Sequence, residues 1–580
     1  MGARRLVVGA LGLLVASLAG AQQTQDFTIP KYDYQRTGFT KQKLTPPLAL
    51  AWKFSGQEDK AVGALPVVVG NRLFFCSRGT VYALDTETGS LVWDPYETRY
   101  EIRMTPVYHQ GKLFVGTERG ELHILDAADS PQGQRLIKYI PDFRSPLRSD
   151  PVIIKDTLYL MTDKGELFGL DLKTLDEKSI KQPVMRFRSG PRGPLAYNDK
   201  DLLVFSNQDS QVVVHSLSRS KLMWAKSQGV LTAPPALLDQ WALVGSREEV
   251  AALRVATGTM EWKSRATVFR SSPTVALGRV FCAGRDTAAQ NDYLYVLDPA
   301  KGTMLGQMLL DATVSGSPVV ADDTLWLATW AGNVYAIDPR TTDVKWAYRV
   351  SPQESVGPTP IKTAAISGQV VVANQNLFVV NDQGILFCFK PEALDIGKPQ
   401  VVLPQFVTNA VDNTLVAFPV LDDEDKKKVA EFHKEDLAAD PNFKLPAEAQ
   451  ELKLPCRQKM FRFQTYLYDE GSGLRLEDLN VKVDGKDLPS EMVYISRRDQ
   501  LLIVDLVSSK EALGRRSLPD GVHTISLTVP DYKGNVTKKA FSVTINNALP
   551  PLARTAPVPT PPAGTNPGGG GGPGGLLPPT

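Results

Sequence analysis

Between about Trp52 and Phe389 the apolar positions fall in short alternating runs broken by Gly, Asn and Asp, and the arrangement repeats about every 40 residues. One clear copy runs from Pro66 through Val67-Val-Val-Gly-Asn-Arg-Leu-Phe-Phe-Cys-Ser-Arg-Gly-Thr-Val-Tyr-Ala-Leu-Asp85 to Gly89 and Trp93. Read along that copy, the pattern predicts strand, tight turn, strand, Gly turn, strand, turn, strand. A Pro opens each unit: Pro66, Pro106, Pro151, Pro194, Pro234, Pro273, Pro318 and Pro358. Eight units of four strands predict an all-β chain built on an eight-bladed β-propeller.

The repeat also predicts how the ring holds together. Asp85, Asp126, Asp171, Asp298 and Asp338 follow third strands, where a carboxylate can accept backbone N–H bonds in the next turn. Gly89, Gly258 and Gly302 suit positions of positive φ. Trp93, Trp224, Trp262 and Trp346 close several fourth strands, and large flat side chains there are expected to pack between blades. Trp52, in Leu50-Ala-Trp-Lys-Phe54, reads as a fourth strand without its first three. The last unit lacks a clear fourth strand. The N-terminal strand is therefore expected to complete the last blade and leave no open edge.

Outside the repeat the rhythm changes. Residues 401–452, with the charge run Leu421-Asp-Asp-Glu-Asp-Lys-Lys-Lys428, read as a solvated connector with a short helix to about Asp440. Residues 453–548 read as a β-sandwich, with strands at Phe461–Tyr468, Leu479–Val483, Leu501–Val504, His523–Val529 and Ala540–Ile545. Residues 549–580, rich in Pro and Gly, read as an unfolded extension. At the other end, Arg4-Arg5, the apolar run Leu6–Leu18 and Ala19-Gly20-Ala21 read as a secretory signal cleaved after Ala21. The propeller then occupies 22–400, and the mature protein is expected in the periplasm, at the cell surface or secreted. No later apolar run is long enough for a membrane span.

Composition narrows the function without naming it. A 43% hydrophobic chain of 580 residues can build large cores, and a net charge of +2 supplies no field for nucleic acid. The four cysteines are far apart, so they form neither a metal knuckle nor a redox pair. Cys76 and Cys388 fall in the first and last units, open to a disulfide across the closure or to two buried thiols. The five histidines read as packed or surface residues, and no catalytic, cofactor-binding or metal-ligating set is assigned.

The segment Tyr34-Gln-Arg36-Thr37-Gly38, then Pro46-Pro47-Leu48 and Trp52-Lys-Phe54, resembles the entry of PQQ-like (BamB-like) β-propeller repeat proteins. Tyr82-Ala-Leu-Asp-Thr-Glu-Thr-Gly-Ser-Leu-Val-Trp93 resembles their repeat. This resemblance spans about Gln22 to Gln400. It implies the propeller fold; the family holds both quinoprotein dehydrogenases and non-catalytic envelope scaffolds. The dehydrogenases' vicinal Cys pair is absent here, so no cofactor is expected. Asp469-Glu-Gly-Ser-Gly473 and Asp531-Tyr-Lys-Gly-Asn535 resemble loops of bacterial Ig-like modules.

Arginine placement supplies the candidate site. Arg103, Arg148 and Arg270 each stand three residues before a blade-opening Pro, and Arg144, Arg188 and Arg192 occupy the same class of loop. Loops after second strands carry Arg78, Arg119, Lys164 and Arg247, with Trp330 in the seventh unit. Both loop classes are expected to rim one mouth of the channel, where guanidinium groups suit carboxylates or phosphates. The competing reading pairs them with local acids: Asp150, Glu118, Glu248 and Asp286. The sequence thus points to a non-enzymatic envelope scaffold, a monomer or part of a larger complex, binding cell-envelope proteins or an anionic surface polymer. The alternatives are a PQQ-dependent alcohol or sugar dehydrogenase and an adhesin acting through the Ig-like module.

Overall fold

The computed structural model describes residues 26–552 apart from 57–63, 129–134, 177–179, 266–267, 315, 351–363, 367, 441, 457–459 and 508–517. The expected signal segment, Pro358 and the tail from residue 553 on lie outside the described residues. Eight sheets of four or five strands follow one another among the described residues between Ala49 and Lys390. Blade 1 is typical: Val67–Val69, Arg72–Ser77, Thr80–Asp85 and Tyr96–Glu97 pair in antiparallel order. First strands of neighbouring blades touch, so they line a central channel. The chain is an all-β protein with an eight-bladed propeller.

The ring closes as the orphan strand predicts. Ala49–Ser55 pairs antiparallel with Ile385–Lys390, completing the blade begun by Val371–Ala373 and Asn376–Val380. Most second strands bury both faces, and the period of two sorts their side chains between adjacent layers. Leu73 and Phe75 pack with the eighth blade, against Phe378 and Cys388. Phe74 and Cys76 pack with the second blade, against Leu113 and Val115. Cys76 and Cys388 therefore point into different layers, and both are buried thiols.

The turns behave as the repeat predicts. Asp85 Oδ1 accepts the N–H groups of Glu87 and Thr88, both at 2.9 Å. Asp126, Asp171, Asp298 and Asp338 accept equivalent bonds. Gly89, Gly258 and Gly302 adopt φ of 71°, 69° and 67°. Each receives the indole of the preceding blade: Trp52, Trp224 and Trp262 respectively. Those indoles also donate Nε1–H to carbonyls in the same turns, at Thr86, Val255 and Pro299.

Residues 26–40 occupy the channel. Phe27 bridges Val68 of the first blade. The Tyr32 hydroxyl meets the backbone of Val372 in the eighth. Tyr197, Leu237 and Val275 donate their N–H groups to Tyr34, Gln35 and Thr37, and Phe39–Thr40 pairs parallel with Val319–Ala321. A segment can reach the first strands of so many blades only by crossing the centre. Lys31, Tyr32 and Arg36 take positive φ to make the crossing.

Two five-stranded sheets form a second unit around one core, with Phe406, Phe463, Leu502 and Val504 facing Val481, Ile525, Phe541 and Val543. All five strands expected from the sequence are present. The connector expectation needs correction: Gln400–Asn409 and Leu415–Pro419 belong to the first sheet, paired to Phe461–Tyr468 and to each other. Pro404 hides this strand in the sequence, and it sits at a bulge where its missing N–H costs no ladder bond. The helix Asp423–Phe432 follows, capped by the Asp422 carboxylate and with acids in its first turn. The run is not solely solvated, since Lys539 holds Asp422 and Asp425 against the sandwich.

The sandwich docks on the outer strands of blades seven and eight. Trp346 Nε1–H donates to the Ser472 carbonyl at 2.8 Å, and the Tyr348 hydroxyl to the Glu470 carbonyl at 2.8 Å. Leu50 N–H donates to the Gly471 carbonyl at 2.9 Å.

Candidate functional site

Backbone hydrogen bonds join the two arginine-bearing loop classes. In most blades a backbone N–H at the second hairpin donates to the segment entering that blade. The pairs are Glu118 to Glu101, Asp163 to Pro146, Gln208 to Gly190, Arg247 to Val230, Trp330 to Thr313 and Asp382 to Ala365. These bonds fix both loops to each other, so the side chains they carry project from a rigid rim.

The structure separates the candidate arginines into two groups. Arg103 and Arg148 are held by local acids. Arg148 grips Glu118 through Nε at 2.8 Å and Asp163 through Nη1 at 2.7 Å. Arg103 Nε lies 3.1 Å from the same Glu118, and its Nη2 3.3 Å from Glu101. Glu118 and these contacts raise the Arg148 pKa further, while burial pushes the Asp163 carboxyl up against the pull of Arg148. For these two positions the local-acid reading holds, with Glu118 as the shared partner. Asp150 does not serve them: it is buried, accepts the Thr105 N–H at 2.7 Å and faces Arg36. Asp286 is used in its own turn.

The second group is presented to solvent. The Arg144 and Arg188 side chains are 83% and 86% exposed, with Asp142 and Asp209 no closer than 3.7 and 3.6 Å. Arg192 and Arg247 are exposed in neighbouring loops. The Arg119 guanidinium lies over the Tyr100 ring at 5.9 Å, and that of Arg270 over Trp330 at 5.4 Å. Trp330 is 43% exposed. Lys164 donates to the Arg144 carbonyl. Arg78 is half-buried, and its carbonyl accepts the Ile102 N–H.

Inside the channel, the crossing segment is bonded to the first strands. Arg36 is fully buried, donating Nε–H to Leu195 and Nη1–H to Pro30 carbonyls at 2.8 and 2.7 Å. The Lys31 ammonium bonds Ser272 and Pro273, and burial lowers its pKa to about 7. Sequence reasoning had no place for these residues, although Arg36 stands inside the entry motif. A cavity of about 790 Å³ lies between blades one and eight, lined by Lys41, Lys43, Asn71, Glu87, Asn374 and Asn376.

No helix among the described residues is long and apolar enough to cross a membrane. The family described as outer membrane protein assembly factor BamB matches residues 49–264 and 208–394, which together make more than half of the chain. The chain belongs to this family. Comparison with curated proteins gives no match. Among solved structures, BamB from Moraxella catarrhalis is 16% identical over 60% of this chain and 99% of that one, with a TM-score of 0.46. A europium-containing methanol dehydrogenase is 13% identical over 64% and 98%, with a TM-score of 0.48. The quinohemoprotein alcohol dehydrogenase from Comamonas testosteroni is 11% identical over 66% and 83%, with a TM-score of 0.49. At such identities the likeness is one of fold and says nothing of chemistry.

Proposed function

We propose that this protein is a non-enzymatic scaffold of the cell envelope whose arginine-bearing face docks an acidic surface of a partner protein. The observation that carries this reading is the exposed set Arg144, Arg188 and Arg192 on loops pinned to a rigid rim, in a chain whose net charge is only +2. Charge gathered on one face steers and orients an acidic partner without a bulk field. Family membership supports an interaction role in the envelope, the setting named in the family's description. Arg103 and Arg148 act as buttresses: their pairs with Glu118 hold the rim rather than meet the partner.

The test uses the full-length protein and an immobilised glutamate-rich peptide, with heparin as the polyanion control. Wild type is expected to bind the peptide in a salt-sensitive way. Replacing Arg144, Arg188 and Arg192 together by Ala should weaken binding by about tenfold or more, on the scale of roughly 0.5–1 kcal/mol per exposed charge. Unchanged binding sinks the proposal, and tight binding to heparin alone replaces the protein partner with an anionic polymer. Dye reduction on addition of PQQ and Ca²⁺ to the same preparation would overturn the non-enzymatic part.

A further inference from the structure

The propeller exit segment and two sandwich loops bring three carboxylates together at the joint between the units. Asp395 comes from the segment leaving the eighth blade, Asp469 from the loop that receives Trp346 and Tyr348, and Asp531 from the turn beside it. Each offers an oxygen, and these oxygens all lie within 4.8 Å of one another. We propose that Asp395, Asp469 and Asp531 hold a divalent cation, calcium by ligand type, which fastens the sandwich to the propeller.

Burial without a counter-charge makes the case. Asp469 is 4% exposed and Asp531 1%. The Oδ2 atom of Asp395 is shut off from solvent and accepts no hydrogen bond among the described residues, so one buried carboxylate oxygen is left without a partner. A carboxylate oxygen left so is costly unless a proton or a cation meets it. The ammonium of Lys533 donates to the Pro391 carbonyl, and among the described residues no ion pair joins it to any of the three carboxylates. Burial and the two neighbouring carboxylates, Asp395 and Asp531, all push the Asp469 pKa upward.

The surrounding backbone holds the three groups in place. Asp469 Oδ2 accepts from Gly471 and Gly473, Asp531 Oδ1 from Lys533 and Asn535, and Asp395 Oδ1 from Gly397. The Asp395 carboxylate presses so closely on Gly471 that a Cβ there would overlap it. Three carboxylates are hard oxygen ligands, and calcium accepts an irregular oxygen set more readily than magnesium does. The ligands come from both sides of the joint, so the cation should bind the docked state and stabilise it by linkage.

The experiment takes full-length protein stripped with a chelator and titrates it with calcium chloride alone by calorimetry, with thermal melting alongside. One calcium per chain and an upward melting shift are expected. Asp469→Asn and Asp531→Asn should each weaken calcium binding about tenfold or more. The exposed Asp209→Asn should leave it unchanged. If either buried variant fails to fold, Asp395→Asn on the exit segment carries the same expectation. A stripped wild type that shows no saturable calcium binding overturns the proposal. So does calcium binding that survives all three substitutions.

Discussion

Trp52, Trp224 and Trp262 each lay an indole on the glycine turn of the next blade and donate to a carbonyl there, whereas Trp346 donates to Ser472 in a different unit. The difference lies in the turn that the next blade offers. Blades one, five and six supply an Asp- or Arg-led turn ending in Gly, at Gly89, Gly258 and Gly302. Blade eight does not, because its fourth strand comes from the N-terminus and the chain leaves at Lys390 for the sandwich. Loop 469–473 enters the vacated slot with its own Asp-x-x-x-Gly spacing. At the closure of this ring the slot behind the seventh blade is filled by a second unit.

The largest test of this contrast is Trp346→Ala. Trp346 is fully buried among Trp326, Tyr348 and Phe389, so truncation should cost about 3–5 kcal/mol. It should also release the sandwich, read as faster proteolysis within residues 391–399. Trp224→Ala, at a half-buried position served by the repeat, should cost less and leave that cleavage unchanged. Equal urea midpoints and equal cleavage for the two variants would break the distinction between repeat-made and sandwich-made slots.

A finer cut compares two glycines. Gly302 has φ of +67° and its Cβ would run into Trp262; Gly473 has φ of +88° and its Cβ would stand 2.5 Å from the Ala347 carbonyl oxygen. Substitution by Ala should cost about 1–3 kcal/mol at either position. The location of the damage should differ. Gly302→Ala should lower the melting of the ring itself, while Gly473→Ala should mainly expose residues 391–399 to protease. A ring transition lowered equally by both would place loop 469–473 inside the ring's cooperative unit.

These contrasts also explain what the sequence could and could not carry. The Asp turns, the glycines that accept indoles and the closing strand were legible because the repeat states each of them more than once or leaves a visible gap. The strand Gln400–Asn409 was not, because Pro404 and its bulge interrupt the alternation. The rim arginines were legible as a class. Their division was only partly so: Glu118 is visible as a nearby acid, but its grip on both Arg103 and Arg148 depends on how hairpin and entry loop face each other. The acid trio joins residues far apart in the chain and obeys no local spacing. Residues 26–40 carried a motif, yet nothing local says that such a segment crosses a channel.

That crossing segment yields a prediction that is read in pH rather than in a single midpoint. Lys31 is buried beside Asp33, Arg36 and Cys282, and burial lowers its pKa from 10.5 to about 7. Between those values the unfolded chain holds a proton on Lys31 that the folded chain has released. Stability should therefore rise with pH from about 7 toward 10, by up to about 1.4 kcal/mol per pH unit from this group. Lys31→Met removes the titrating amine. The difference in urea midpoint between wild type and Lys31→Met at pH 7 and at pH 8.5 isolates the slope from every other group. Wild type should gain on the variant as the pH rises. A difference independent of pH would mean that the amine keeps its charge in the channel, with Ser272 and Pro273 as sufficient partners.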